Sequence, residues 1–131
     1  MLGTRNAVAN LAVSDLDRAR NFYTDTLGLK QVDNEGDEVI VLKSGDSNIN
    51  VYRSEYAGTN EATAVTWEVD DIEAEVAALK AKGVAFEHYD MDGMALEGDL
   101  HVADDYKIAW FKDPDGNILN LVGAVREPAD A

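Results

Sequence analysis

The chain carries Ala9-Asn10-Leu11-Ala12-Val13-Ser14-Asp15-Leu16 and, 56 residues later, Val65-Thr66-Trp67-Glu68-Val69-Asp70-Asp71-Ile72. In both stretches apolar side chains recur at every second position, which is typical of a strand with one buried face. In both, an acid-containing segment follows directly, and this predicts the start of a helix. The two stretches therefore predict an internal repeat.

A helix is predicted after each strand. Ser14 lies three residues before Asp17, and Asp70 lies three residues before Glu73, so each pair predicts a capping box at the helix start. A glycine that can adopt the left-handed conformation is predicted to end each helix. The apolar positions at helical spacing are Leu16, Ala19, Phe22, Tyr23 and Leu27 in the first helix and Ile72, Val76 and Leu79 in the second, and the terminal glycines are Gly28 and Gly83.

Three strand-like runs follow each helix, separated by turn-forming residues. The sequence therefore predicts an α+β fold of two βαβββ modules, about residues 7–56 and 62–124 of one domain spanning 1–131, with 125–131 as a loose tail. The segment between Tyr89 and Lys107 is interpreted either as a lid or as a long hairpin loop. The predicted strands are Leu29–Val32, Glu38–Lys43 and Asn48–Tyr52 in the first module and Ala85–Tyr89, Lys107–Lys112 and Ile118–Val122 in the second.

The composition excludes several classes of protein. The 131 residues include 26 Asp and Glu against 11 Lys and Arg, a formal net charge of −15, with two His and no Cys. Such acidity disfavours binding to nucleic acid or to anionic membranes, and the missing cysteines exclude disulfides and thiolate chemistry. The first residues lack the apolar run of a signal peptide, and no apolar stretch is long enough to cross a bilayer. We therefore expect a cytoplasmic protein.

The order of these motifs resembles the vicinal oxygen chelate superfamily, which includes glyoxalase I, bleomycin resistance proteins and extradiol dioxygenases. The resemblance spans about residues 7–124. It rests on the strand ends "V-S-D-L" and "V-D-D-I", on Phe22-Tyr23 followed by Leu27-Gly28-Leu29, and on the turn Asp113-Pro114-Asp115-Gly116-Asn117. It implies a curved mixed sheet around a shared cavity, with the helices outside, and a homodimer.

The resemblance also implies four positions for the ligands of a divalent metal, one on each of four cavity strands. Counting from the motifs gives Val8, Ala64 and Asn120, and the remaining position lies on the strand Asn48–Tyr52, at Asn50. Two of these side chains have no donor atom, and an amide is a weak ligand for a transition metal. We therefore expect neither a metal nor a cofactor. His88 and His101 are each expected to be exposed or satisfied rather than to rebuild a metal site.

A small-molecule ligand is expected to contact the cavity face of the strands. Glu68 points to this face by alternation, where it is a candidate general base or a partner for a cation, unless it lies near solvent at the strand end. Trp67 is expected beneath the second helix, and one of Trp110 and Phe111 should line the cavity. The expected ligand-binding residues are Val8, Asn10, Asn50, Tyr52, Ala64, Thr66, Glu68, Trp110 and Asn120.

Three functions agree with this sequence. The first is a metal-free small-molecule-binding protein that sequesters a cationic or aromatic antibiotic or metabolite. The segment from Gly83 to Tyr106 contains seven acids and neither Lys nor Arg, which favours a cationic ligand if it borders the cavity. The second is a metal-independent enzyme that uses Glu68 or a histidine as acid or base. The third is a metal-dependent lyase, isomerase or dioxygenase with non-standard ligands.

Overall fold

A computed structural model describes residues 1–124, apart from the side chain of Glu35. The predicted tail, 125–131, lies outside the described residues. After a 3-10 turn at Leu2–Thr4, the elements are β1 (Ala9–Val13), α1 (Leu16–Asn21), a π-helical turn (Phe22–Thr26), β2 (Lys30–Glu35), β3 (Val39–Ser44), β4 (Ser47–Arg53), β5 (Thr63–Glu68), α2 (Ile72–Ala81), β6 (Phe86–Glu87), β7 (Ala95–Glu97), β8 (Leu100–Val102), β9 (Tyr106–Lys112) and β10 (Ile118–Ala124).

These elements form two compact units, each with one mixed sheet and one α-helix. The first unit contains Met1–Glu61 and the turn Asp113–Asn117, and the second contains 62–112 and 118–124 of the described chain. The strand orders are β1-β4-β3-β2 and β5-β10-β9-β8-β7, with β6 also paired to β9. Neither sheet is closed. The α+β class and the mixed sheets are as the sequence predicts. No helix in the described part of the chain has the length and apolar character needed to cross a membrane.

The core of the first unit lies between its sheet and α1. Leu11 and Val13 of β1 are buried, as alternation predicts, together with Ile40, Leu42 and Val51 of the neighbouring strands. Alternation also places Ala9 in this core, and that prediction is wrong. Ala9 is exposed because it begins an edge strand, where nothing packs over its side chain.

The helix caps lie one residue later than the capping boxes predict. Asp15 caps α1 by accepting a hydrogen bond from the Arg18 amide, and Asp71 caps α2 by accepting one from the Ala74 amide. Ser14 instead donates its hydroxyl to Asp115 at 2.5 Å. A carboxylate was available at the next position in both modules, and it takes the cap in both.

The first helix is also shorter than its apolar spacing predicts. It passes after Asn21 into a π-helical turn, in which the Leu27 amide donates to the Phe22 carbonyl five residues back. The Tyr23 carbonyl accepts from the Leu29 amide, and Gly28 has a φ of 82°. The predicted left-handed glycine is therefore confirmed, although the turn before it is wider than an α-helix.

The turn Asp113–Asn117 is held by a buried carboxylate. Asp113 is 4% exposed, and its two oxygens accept hydrogen bonds from four donors. These donors are the Tyr23 hydroxyl at 2.7 Å, the Asn117 side chain at 2.8 Å and the backbone amides of Asp115 and Asn117. Asn117 also donates to the Ala12 carbonyl. The turn is thus part of the interior of the first unit.

Asp115, in the same turn, is also held by several hydrogen-bond donors. Its carboxylate accepts from the backbone and hydroxyl of Ser14 and from the Arg18 guanidinium. Gly58, with a φ of 71°, passes so close that a Cβ there would lie 2.0 Å from the Asp115 carbonyl oxygen. No other residue fits at position 58 without displacing the turn.

The second unit has more strands than the βαβββ pattern predicts. The segment between β6 and β9 contains a short hairpin, β7 and β8, and β8 pairs with β9. Of the two interpretations of this segment, the hairpin is the one that the structure contains. On the α2 side of the sheet, Phe111 stacks on Trp67 and meets Phe86 edge to face. Trp67 therefore belongs to the face beneath the helix, as predicted.

Replacing Tyr23 by Phe is expected to destabilise the first unit by about 1–3 kcal/mol, because the buried Asp113 carboxylate loses one of its donors. Urea denaturation of the two proteins measures this difference. Tyr56→Phe is the matched control, since Tyr56 is 68% exposed and its loss of a hydroxyl should be nearly neutral. Equal stabilities of wild type and Tyr23→Phe would contradict a structural role for this hydrogen bond.

The same hydroxyl gives an alkaline signature. Burial, and then the negative charge of Asp113, raise the pKa of the Tyr23 phenol far above its ordinary value. Above pH ~10 the unfolded chain releases this proton while the folded chain keeps it, so stability should fall by about 1.4 kcal/mol per pH unit. Urea midpoints measured from pH 9 to 11 test this slope. Because this range is centred on the ordinary phenol pKa, Tyr23→Phe should lose less stability across it than wild type by about 1.4 kcal/mol in total. Parallel slopes would contradict the assignment.

Candidate functional site

Three expected site residues lie side by side on the face of the second sheet that is turned away from α2. Thr66 of β5 and Trp110 of β9 are both register partners of Asn120 on the strand between them, β10. Partners in register point to the same side of a sheet. Phe111 points to the opposite side, against Trp67, so alternation assigns Trp110 and not Phe111 to this face.

The Trp110 side chain reaches across β10. Its indole nitrogen donates a hydrogen bond to the Thr63 hydroxyl at 3.1 Å. Because Thr63 lies on β5 and Trp110 on β9, this bond spans the strand that carries Asn120. Asn120 is 6% exposed, and its side-chain oxygen is the one fully buried side-chain nitrogen or oxygen, among the described residues, without a hydrogen-bond partner.

Aromatic rings pack beside Trp110. Tyr89 and His101 meet its indole edge to face, at ring-centroid distances of 5.3 and 4.8 Å. His101 is buried on β8, where Nε2 accepts from the Tyr89 amide and Nδ1 faces the Ile108 carbonyl at 3.3 Å. This arrangement fixes a proton on Nδ1 and occupies both ring nitrogens. His101 is thus a satisfied core histidine, one of the two roles expected for it.

His88 is exposed and paired with a carboxylate. Its Nε2 lies 2.8 Å from Asp99, which also accepts from Lys80 at 2.7 Å. The Lys80 hydrogen bond and then that of His88 hold the pKa of the Asp99 carboxyl below its ordinary value. The sequence suggested no regular relation between the two histidines, yet the β7–β8 hairpin brings the rings of His88 and His101 to 6.5 Å between centroids.

Glu68 is exposed at the end of β5, on the same face as Thr66. It lines a cavity of about 470 Å³ in the second unit. Asp70 and Asp105 line this cavity too, along with the ring of Tyr106. Of the acids in the 83–106 segment, Asp99 pairs with Lys80 and Glu87 with Lys112, while Asp105 borders the cavity. The alternative placement of Glu68, at a strand end near solvent, agrees with its exposure, and its place in the shared cavity of the family stays a prediction.

The first sheet carries register pairs that correspond to those around Asn120 in the second sheet. Asn10 and Asn50 are register partners on β1 and β4, as are Ala12 and Tyr52. Val8 precedes β1 and is 42% exposed. Asn50 pairs with Asn10, two positions after Val8, and Asn120 pairs with Thr66, two positions after Ala64. The strand register of both units thus follows the internal repeat.

The side chains at the four metal positions do not fit a divalent metal. Val8 and Ala64 end in methyl groups, which cannot coordinate, and Asn50 and Asn120 offer only neutral amides. Among the side chains that the structure describes, no group of three or more His, Cys, Asp or Glu is placed to hold a metal ion. This arrangement gives no support to a metal-dependent enzyme with non-standard ligands.

Sequence reasoning missed a second cavity, of about 600 Å³, in the first unit. It lies between the start of α1 and the β2–β3 turn, with Leu16 and Ile40 as its apolar part. Arg53, paired with Glu38 through two hydrogen bonds, lines it. No sequence motif marks this cavity, because its residues come from three separate segments.

One comparison with known proteins shows the family of this chain. The sequence profile of the Glyoxalase/Bleomycin resistance protein/Dioxygenase superfamily matches residues 5–121. The chain therefore belongs to this superfamily, as its motifs predict. No curated protein matches the chain.

Solved structures share the fold. One is TnmS3, an antibiotic-binding protein from Streptomyces sp. CB03234, with a TM-score of 0.69 and 21% identity over 95% of this chain and 98% of that one. Another is lactoylglutathione lyase from Agrobacterium tumefaciens, with a TM-score of 0.68 and 16% identity over 92% and 93%. A third is a glyoxalase/bleomycin resistance protein from the same Streptomyces, with a TM-score of 0.62 and 24% identity over 88% and 97%. The fold thus occurs in both binding proteins and enzymes.

The two histidines should respond very differently to substitution. His101→Leu leaves the Tyr89 amide and the Ile108 carbonyl without their partner and is expected to cost about 1–3 kcal/mol. His88→Leu, the matched control, removes an exposed ring and should change stability by less than ~0.5 kcal/mol. Urea denaturation of both variants measures the contrast. Equal effects would show that His101 does not have this core role.

Proposed function

We propose that this protein is a metal-free, homodimeric, cytoplasmic small-molecule-binding protein that sequesters a cationic or aromatic antibiotic or metabolite. The observation that carries the proposal is the side-chain chemistry at the four metal positions. Because Val8 and Ala64 have no donor atoms, the reactions that relatives perform through a metal have no counterpart in these residues. Binding a ligand is a use of such a sheet face that needs no metal.

The face around Asn120 has the composition of a small-molecule site. Flat rings from Trp110 and Tyr89 lie beside a few polar groups, the combination by which proteins usually hold aromatic ligands. Glu68, Asp70 and Asp105 line the cavity in the same unit without a basic residue among its lining side chains. Carboxylates in a concave surface attract cations, which supports a positively charged ligand.

The similarity to TnmS3 gives independent support. That protein is an antibiotic-binding protein, so the fold can serve to bind an antibiotic. The net charge of −15 agrees with a cationic ligand, and the expected ligand set in the first unit (Val8, Asn10, Asn50, Tyr52) includes two amides and an aromatic ring suited to a polar aromatic molecule.

A second candidate function is a metal-independent acid–base enzyme. The observation that favours it is the 2.8 Å contact between His88 and Asp99, since a carboxylate orients a histidine that works as a general base. His101 is excluded from this role because both of its ring nitrogens are occupied in the core. Glu68 is the other candidate, exposed and facing a cavity.

Ligand binding is tested by thermal shift with metal-free bleomycin, a cationic glycopeptide, and with a set of aromatic amines. A ligand at 100 times its dissociation constant should stabilise the fold by about 2.7 kcal/mol, and Glu68→Gln should weaken the cationic ligands. Asp46→Asn, in an exposed turn of the first unit, is the matched charge control. Sedimentation of the same samples should give twice the chain mass of 14.3 kDa.

Two results would overturn the proposal. One is a stoichiometric divalent metal in the purified protein, lost together with an activity. The other is chemical conversion of a bound ligand that stops in His88→Gln or Glu68→Gln, which would establish the enzyme instead. Mass spectrometry of the recovered ligand separates binding from conversion.

A further inference from the structure

We propose that the side-chain oxygen of Asn120 is the acceptor that selects ligands with an N–H donor, and that the Trp110 indole covers it in the free protein. This inference rests on the proposed small-molecule-binding function and deepens it by naming the ligand chemistry. It depends on three features of the second unit: an unpartnered acceptor, a ring that spans it, and the charges around it.

The acceptor is the first feature. Folding removes the Asn120 oxygen from water, yet no donor in the described structure replaces the water that it loses. An acceptor in this position destabilises the folded protein, whereas an apolar side chain of similar size would not. Buried groups without partners are uncommon and call for an explanation such as a functional role. A ligand that donates a hydrogen bond to the Asn120 oxygen would replace the hydrogen bond from water that this oxygen loses on folding.

The cover is the second feature. The Trp110 indole crosses β10 and is tied to β5 by its hydrogen bond to the Thr63 hydroxyl. β5 is an edge strand and Thr63 is exposed, so the solvent competes for this bond. If it breaks, the indole is held only by its edge-to-face contacts with Tyr89 and His101 and can rotate off β10, which exposes Asn120 and offers a flat ring to the ligand.

The charges decide which ligands fit. Glu87, the register partner of Trp110 on the side away from Asn120, is paired with Lys112. Glu68 lies further along the face that carries Thr66 and Asn120. With the Glu68 carboxylate on this face and an unpartnered acceptor at its centre, a carboxylate ligand is disfavoured. An aromatic amidine, amine or amide supplies both a ring that stacks on Trp110 and an N–H that donates to the unpartnered Asn120 oxygen.

The first experiment needs no ligand. Asn120→Leu should raise the melting temperature by a few degrees, because the variant no longer buries an unpartnered acceptor. Asn48→Leu, an exposed polar-to-apolar change on a strand of the first unit, is the matched control and should leave it unchanged. A melting temperature lowered in Asn120→Leu alone would overturn the inference, since it would show that Asn120 is satisfied in the free protein.

The second experiment uses benzamidinium and benzoate, which share a ring and differ in donors and charge, with neutral benzamide to separate the two. Measured by quenching of tryptophan fluorescence, benzamidinium and benzamide should bind wild type at least tenfold more tightly than benzoate. Thr63→Val removes the hydrogen bond that holds the Trp110 indole over Asn120 and leaves Asn120 unchanged. The variant should bind benzamidinium and benzamide about fivefold more tightly than wild type does. Asn120→Leu should abolish the preference for benzamidinium and benzamide over benzoate.

The outcomes separate the two proposals. If bleomycin or an aromatic amine binds wild type and Asn120→Leu equally well, the protein binds small molecules and the role of Asn120 is wrong. Equal binding of benzamide and benzoate, or no effect of Thr63→Val, would also overturn it. If no ligand binds wild type in either assay, the proposed function itself fails, whatever the melting temperature of Asn120→Leu.

Discussion

The structure depends on one buried carboxylate. Asp113 accepts from four donors and forms no salt bridge with the described residues, so within residues 1–124 hydrogen bonds stabilise its carboxylate. A buried charge is tolerated only when its oxygens are satisfied in this way. Each donor therefore fixes a piece of the first unit: the Tyr23 hydroxyl fixes the turn after α1, and Asn117 fixes the end of β1 through Ala12. The turn motif that identifies the family in the sequence is, in the folded protein, a structural element.

The acidity of the chain has more than one use. Carboxylates cap both helices and hold the Asp113–Asn117 turn. Others neutralise specific cations, as Glu73 does for Lys107, whose hydrogen bond lowers the pKa of the Glu73 carboxyl. The acids that remain around Glu68 belong to a cavity surface instead. Net charge alone would not distinguish these roles, because each is defined by the donors that surround the carboxylate.

Local rules predicted the parts of the fold that depend on local chemistry. Alternation correctly assigned Trp67 to the helix side and predicted that Trp110 and Phe111 lie on opposite faces, but only the structure shows which of them faces away from α2. The left-handed glycines lie where the helix ends require them. The caps were misplaced by one residue because neighbouring polar side chains compete and only the folded chain decides between them. The β7–β8 hairpin was not predicted because a strand of three residues is too short to show an alternation of apolar and polar side chains. The pairing of His101 with Tyr89 and Ile108 depends on that hairpin, so the sequence could not predict it.

The assignment of Asp113–Asn117 to the first unit has a consequence for how this repeated chain can be divided. A fragment that ends at residue 61 would contain every helix and strand of the first module and still lack the acceptor of the Tyr23 phenol and the donor to Ala12. The two halves of the repeat are alike in pattern but not self-sufficient. A gene encoding the first half alone would therefore specify an incomplete interior.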